Sequence, residues 1–230
     1  PMTELTIKAI AFDAYGTLFD VYSIGVLAEK LFPGEGAQLA TIWRDKQIEY
    51  TRVRTLSDKY ANFWQVTVDA LTYSCEFLNL DLTEASRDRL MRQYAELSAF
   101  PENVEQLMRL REAGITLSVL SNGTPWMLEQ AMEASGLAEY FEHVLSVESV
   151  ERFKTAPEAY QMGPDALGSK AANILFVSSN CWDICGATWF GYHTIWLNRY
   201  GLPLDRLGVN PHRIGSSLQD VADFALELNA

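Results

Sequence analysis

The sequence predicts an α/β fold: a parallel sheet with helices on both faces, and a helical cap subdomain inserted after the first strand. Three observations predict it. Short apolar runs alternate with helix-period segments from about residue 98 to 197, the pattern of successive βαβ units. The first apolar run, residues 6–12, is followed instead by a stretch without strand signals, residues 20–97. The length, 230 residues, suits one large domain or a domain carrying an insertion.

The elements follow in chain order. Residues 6–12 close on Asp13-Ala14-Tyr15-Gly16-Thr17, so they read as a buried strand emptying into a glycine turn. Residues 23–97 read as helices. One apolar spacing is Ile42, Ile48 and Val53; a second is Tyr60, Phe63, Trp64, Val68 and Leu71; a third is Leu90, Tyr94 and Leu97. Pro101 opens a helix over 102–113, and Gly114 ends it. A strand over 115–120 runs into Ser121-Asn122-Gly123, and a helix over 125–135 is closed by Gly136. Then come strand 143–147, helix 157–167, strand 173–177, helix 182–190 and strand 192–197. The core is thus residues 3–19 and 98–230, and the cap 20–97. A cap inserted at a strand's carboxyl end lies over the edge where open α/β sheets hold ligands.

Composition narrows the function. The formal net charge is −12, with 18 basic against 30 acidic side chains. That disfavours nucleic acid and anionic membrane surfaces as partners. It leaves room for a small anionic substrate, because nearby cations outweigh a distant field. No run has the apolar length of a membrane span, and no basic-then-apolar signal segment is present at the N-terminus. Pro1-Met2 reads as an expression remnant and is set aside. Three cysteines, an odd count, fit a reducing cytoplasm. Cys181 and Cys185 have no His or further Cys near them in sequence, so they read as small buried side chains rather than metal ligands.

Four strand ends bring polar groups to one edge of the sheet. They carry Asp13 and Thr17, then Ser121 and Asn122, then Lys154, then Ser178, Asn180 and Asp183. Each alone has a plainer reading. Asp13 or Thr17 caps a turn. Arg44, beside Asp45 and Glu49, and Lys154 are solvated cations. Phe63, Trp64 and Trp182 at helical spacing are core. His143, His193 and His212 are isolated and are given no catalytic work. The combination, in this order, is much more specific than its members.

Asp13-Ala14-Tyr15-Gly16-Thr17, Leu120-Ser121-Asn122-Gly123, Lys154 and the segment from Ser178 to Asp183 resemble the four motifs of the haloacid dehalogenase superfamily. The closest likeness is to its L-2-haloacid dehalogenases. It extends into the cap through Trp43-Arg44-Asp45-Lys46-Gln47 and Tyr60-Ala61-Asn62-Phe63-Trp64. The resemblance implies a Rossmann-like core and a cofactor-free, metal-free hydrolysis. Asp13 attacks the halogen-bearing carbon, and water then cleaves the aspartyl ester, turning an L-2-haloacid into a D-2-hydroxyacid. It also implies that Arg44 and Asn122 cradle the halide and that Ser121, with backbone N–H groups near Tyr15, holds the carboxylate. Asp183, Asn180 and Lys154 handle the water. Thr17 and Ser178 orient carboxylates, Tyr160 supports Lys154, and Tyr15, Ile48, Phe63 and Trp182 wall the pocket. A homodimer is implied as well; the aromatic segment 60–64 suits either its contact or the chain's own core.

Position 15 discriminates between chemistries. A phosphatase of this superfamily protonates an alkoxide leaving group with an acid two residues past its nucleophile. Halide departs as a stable anion and needs no proton, so Tyr15 suits a dehalogenase. The alternatives are a Mg²⁺-dependent phosphatase of small metabolites, for which the last motif is poor in acids, and a non-catalytic binding protein on the same scaffold.

Overall fold

A computed structural model describes residues 5–230. The reading of Pro1-Met2 and the proposed start of the core at residue 3 lie outside the described residues. The strands are β1 (Ala9–Phe12), β2 (Thr116–Ser121), β3 (His143–Ser146), β4 (Ile174–Ser178), β5 (His193–Leu197) and β6 (Arg213–Gly215). They form one sheet of order β3-β2-β1-β4-β5-β6, parallel throughout. All four residues of β1 are buried, as a central strand covered on both faces must be. Neighbours β2 and β4 leave β1 on opposite sides, so the crevice beyond its carboxyl end is the topological switch point.

Four helices follow β1, ahead of a fifth that leads into β2: α1 (Ile24–Leu31), α2 (Gly36–Leu56), α3 (Phe63–Phe77) and α4 (Glu84–Ala95). The core helices are α5 (Asn103–Glu112), α6 (Pro125–Ser135), α7 (Pro157–Leu167), α8 (Cys181–Phe190) and α9 (Leu218–Leu228). Among the described residues no helix is long and apolar enough to cross a membrane. The local signals behave as expected. Thr124 accepts from Met127 N–H at 3.1 Å, Pro125 begins α6, and Gly136 ends it in the left-handed region.

Three expectations need correction. The spacing Ile42, Ile48 and Val53 does not mark the buried face of α2, although Ile48 borders it. Its buried residues include Trp43, Arg44, Gln47 and Thr51, whereas Val53 is 54% exposed. A helix that roofs a polar site turns polar groups inward, so apolar periodicity misassigns its face. Tyr60 precedes α3, because Asn62 caps that helix by accepting from Gln65 N–H at 2.9 Å. Beyond residue 197 the expectation had no element, yet β6 and α9 follow. The strand is three residues long and mostly exposed, too short for a period-2 signal. The helix opens on a capping box, Ser217 with Asp220.

Candidate active site

Asp13 follows the last residue of β1 and is 6% exposed. Its two carboxylate oxygens are held unequally. Oδ2 accepts from Thr17 Oγ1 at 3.0 Å, Ser178 Oγ at 2.9 Å and Asn180 Nδ2 at 2.8 Å. Among the described residues Oδ1 accepts only from Lys154 Nζ, at 3.2 Å. Asn180 occupies the N-cap position of α8 without capping it. Its amide serves the site instead, donating to Asp13 and to the Tyr15 carbonyl. Gly16 has φ +87, and a Cβ there would stand 3.2 Å from Ser179 Oγ. The turn therefore requires glycine to bring Thr17 back under Asp13.

Lys154 bridges two acids: its Nζ also donates to Asp183 Oδ2 at 2.8 Å. Burial opposes the ammonium charge, but Asp13 and Asp183 more than offset this and hold its pKa above the ordinary value. Asp183 has the reverse balance. Burial, reinforced by Asp13, pushes its carboxyl up to about 6 against the pull of Lys154. Tyr160 donates to Asp183 Oδ1 at 2.7 Å. Burial and Asp183 push its hydroxyl well above the usual range, so it remains a donor. The segment carrying Lys154 is clamped on both sides. Its backbone N–H donates to Asn122 Oδ1 at 2.9 Å, and Phe153 N–H donates to Thr55 Oγ1 at 3.1 Å.

Asp13 faces a cavity of about 20 Å³, small for a ligand site. Arg44, Ser121, Asn122 and Asn180 supply its polar wall; Tyr15, Ile48, Phe63 and Trp182 supply the rest, with Thr51. Arg44 is only 8% exposed. It donates to Gln47 Oε1 at 2.8 Å, Asn180 Oδ1 at 3.2 Å and Tyr15 O at 3.4 Å. The reading of Arg44 and Lys154 as solvated surface cations is thus excluded. Tyr15 stacks on Tyr94 with ring centres 5.5 Å apart, and its hydroxyl, pushed well up by burial, has no partner among the described residues. Gly123 lets this ring approach, since a Cβ there would lie 2.8 Å from Tyr15 Cε2.

All the expected site residues converge, but on two levels. Thr17, Lys154, Tyr160, Ser178 and Asp183 pack behind Asp13 and do not line the cavity. Sequence reasoning missed Thr51 on the wall, although Arg44, Ile48 and Thr51 share a helix face at spacings of four and three. It also missed Ser179, whose N–H donates to Thr17 Oγ1 at 2.8 Å. Cys181 is off the cavity wall, its Sγ accepting from Asp205 N–H at 3.5 Å. Trp182 is covered by the Arg52 guanidinium, 5.3 Å from the ring centre. His193 stacks on His212 at 4.0 Å, and burial lowers the pKa of His193 to about 4. That pair sits at the amino end of β5, across the sheet from Asp13.

A family model of haloacid dehalogenase-like hydrolases matches residues 7–191. Haloacetate dehalogenase H-2 of Moraxella sp. (strain B) is 45% identical over 205 residues, covering 89% of this chain and 92% of its own. An (S)-2-haloacid dehalogenase of Pseudomonas sp. (strain YL) is 42% identical, covering 95% and 94%. A crystallised L-2-haloacid dehalogenase superposes with a TM-score of 0.95 at 54% identity, covering 96% of this chain and 99% of its own. The Xanthobacter autotrophicus L-2-haloacid dehalogenase with chloropropionic acid covalently bound gives a TM-score of 0.90 at 32% identity, covering 96% and 99%. With its strand-end acids, its buried lysine bridge and these relatives spanning almost its full length, the chain belongs to the haloacid dehalogenase-like hydrolases.

Proposed function

We propose that the chain hydrolyses short L-2-haloalkanoic acids to D-2-hydroxyalkanoic acids through an ester on Asp13. The observation that carries this is the asymmetry of Asp13: three donors hold Oδ2, while Oδ1 has Lys154 alone. Oδ1 attacks C2, and the carbon–halogen bond breaks with its electron pair leaving on halide. Arg44 and Asn122 receive the anion. The Asn122 amide is oriented for this, because its Oδ1 is already engaged by Lys154 N–H and its Nδ2 is left as the donor. Ser121 and backbone N–H groups near Tyr15 hold the substrate carboxylate, and Tyr15, Ile48, Phe63 and Trp182 surround the alkyl group. Only this step touches the stereocentre, so configuration inverts once.

Water placed by Lys154 and Asn180 then attacks Asp13 Cγ. The Cγ–Oδ1 bond breaks; of the two protons that water brings, Asp183 takes one and the other passes to Oδ1, which leaves as the product hydroxyl. Thr17, Ser178 and Tyr160 keep the two carboxylates in place. The names of the related enzymes, and the covalently bound chloropropionic acid in one neighbour, support this reading.

A Mg²⁺-dependent phosphatase fits the site less well. Lys154 ammonium lies between the Asp13 and Asp183 carboxylates, where a divalent cation would need them both. Position 15 offers a tyrosine that burial keeps protonated and no carboxyl group. The experiment is halide release from 2-chloropropionate with a chelator present, beside phosphate release from small esters with Mg²⁺. Halide release that requires the metal, or phosphate release alone, would sink the proposal.

The pH profile is a second prediction. A base with a pKa of about 6 is ionised above that value and protonated below it. Ester hydrolysis is therefore expected to fall as pH drops through 6, approaching about tenfold per unit. Quenched reactions analysed by intact mass should show ester accumulating at pH 5 but not at pH 7.5.

We also place the cap at residues 20–97 and retain the homodimer. The segment 60–64 is spent within the chain, with Tyr60 on Phe153 and Trp64 on Trp126. The dimer contact we favour is the outer face of α2 and α3, where Val53, Leu56 and Phe77 are 54%, 85% and 60% exposed. Leu56→Asp should shift sedimentation from dimer to monomer, and an unchanged dimer would remove this face. Three free, buried cysteines support a cytoplasmic setting.

A further inference from the structure

We infer that Gln47 is a positioning residue for the reaction: it holds the Arg44 guanidinium against the cavity while leaving its positive charge unshared. This rests on the reading of Arg44 as the halide cation. Gln47 is 1% exposed and one turn along α2 from Arg44. Its Oε1 accepts from Arg44 Nη1 at 2.8 Å. Its Nε2 donates to Thr67 Oγ1 of α3 at 2.8 Å and to Tyr94 Oη of α4 at 2.9 Å. Thr67 spends its own proton on Phe63 O at 2.6 Å, so toward Gln47 it can only accept. That sets the amide's orientation: nitrogen toward Thr67, oxygen toward Arg44. One side chain thereby ties three cap helices to the cation. Tyr94 carries the tie into the core loop by stacking on Tyr15.

The neutrality of this anchor is the functional point. A long arginine side chain needs buried acceptors to hold one rotamer. A carboxylate would hold it too, but would cancel much of the field available to a departing halide. Among the described residues every acceptor of Arg44 is uncharged: the Gln47 and Asn180 amides and the Tyr15 carbonyl. The guanidinium is therefore fixed in place with its full charge directed at the cavity, which is the preorganisation that stabilises charge developing on a leaving group.

The test compares Gln47→Met, Gln47→Glu and Tyr94→Phe on 2-chloro-, 2-bromo- and 2-iodopropionate. The reading is kcat/KM, which covers the steps up to halide loss. Gln47→Met keeps the volume and removes the acceptor; it should lose about 10- to 100-fold on the chloro substrate. The loss should shrink through bromo to iodo, because a better leaving group leans less on the cation. Gln47→Glu should rank the substrates likewise and raise the inhibition constant of chloride. Tyr94→Phe, which keeps the ring and removes one acceptor, should give the same ranking at smaller size and decides the matter if the Gln47 variants do not fold. Equal losses across the three substrates, or none, would overturn the inference. Arg44→Lys on the same series separates the two levels. Leaving-group dependence there but not at Gln47 defeats only the positioning role, and its absence at Arg44 defeats the halide reading.

Discussion

Asp13→Asn is expected to abolish turnover, with halide release down by roughly 10⁴-fold or more, as when a covalent nucleophile is removed. The substitution is nearly isosteric, so the three donors around Oδ2 keep an oxygen to bind. What disappears is the charge on Oδ1, and with it an attacking electron pair and one partner of Lys154. Single-turnover hydrolysis of the unaltered enzyme in ¹⁸O-water gives the complementary reading. Label should enter the Asp13 carboxylate first, because water attacks Cγ, and reach product only in later turnovers. Full activity in Asp13→Asn, or label in the first molecule of product, would dismiss Asp13 as the nucleophile.

Lys154→Met should combine loss of activity with the largest loss of stability, about 3–5 kcal/mol near neutral pH. The Lys154 side chain is 1% exposed and lies between carboxylates that are 9% and 0% exposed. Methionine fills a similar volume but leaves both acids without their cation. The deficit should depend on pH in a defined direction. Asp183 already sits at about 6 with Lys154 in place, against 3.8 as its ordinary value. Without the ammonium it rises further. The folded variant then binds a proton that the unfolded chain releases, so acidification favours the fold. Urea unfolding should therefore show a smaller gap between variant and parent at pH 5.5 than at pH 7.5. His193 and His212 titrate in the opposite sense, their folded values being lowered by burial, but they are common to both proteins and cancel in the difference. An equal gap at both pH values would mean that the bridge does not govern Asp183.

Much of this was legible in the sequence where local rules act alone. The β1 run ending at Asp13, the Thr124–Pro125 start and Gly136 end of α6, and the strand-end order Asp13, Ser121, Lys154, Ser178 all depend on neighbours within a few residues. Legibility failed where a residue's role depends on a distant partner. Arg44 and Gln47 carry no local mark of burial in a charged, exposed-looking stretch of helix. The inner face of α2 was misread because its partner is a site and not a core. The strand β6 owes its pairing to β5 rather than to any pattern in its three residues.

The sequence by itself determined the α/β class, the run of helices after β1 and the family likeness. It could do so because apolar periodicity, caps and motif order are properties of short segments. Only the tertiary structure decided that three donors hold Oδ2 of Asp13 while Lys154 alone reaches Oδ1, that Lys154 is shared with Asp183, and that Gln47 accepts from Arg44 as an uncharged partner. Those outcomes depend on which donors from separate strands and helices come within 3 Å or so of one oxygen, and on how far burial and neighbouring charges move a proton's affinity. Neither quantity exists until the chain has closed around Asp13.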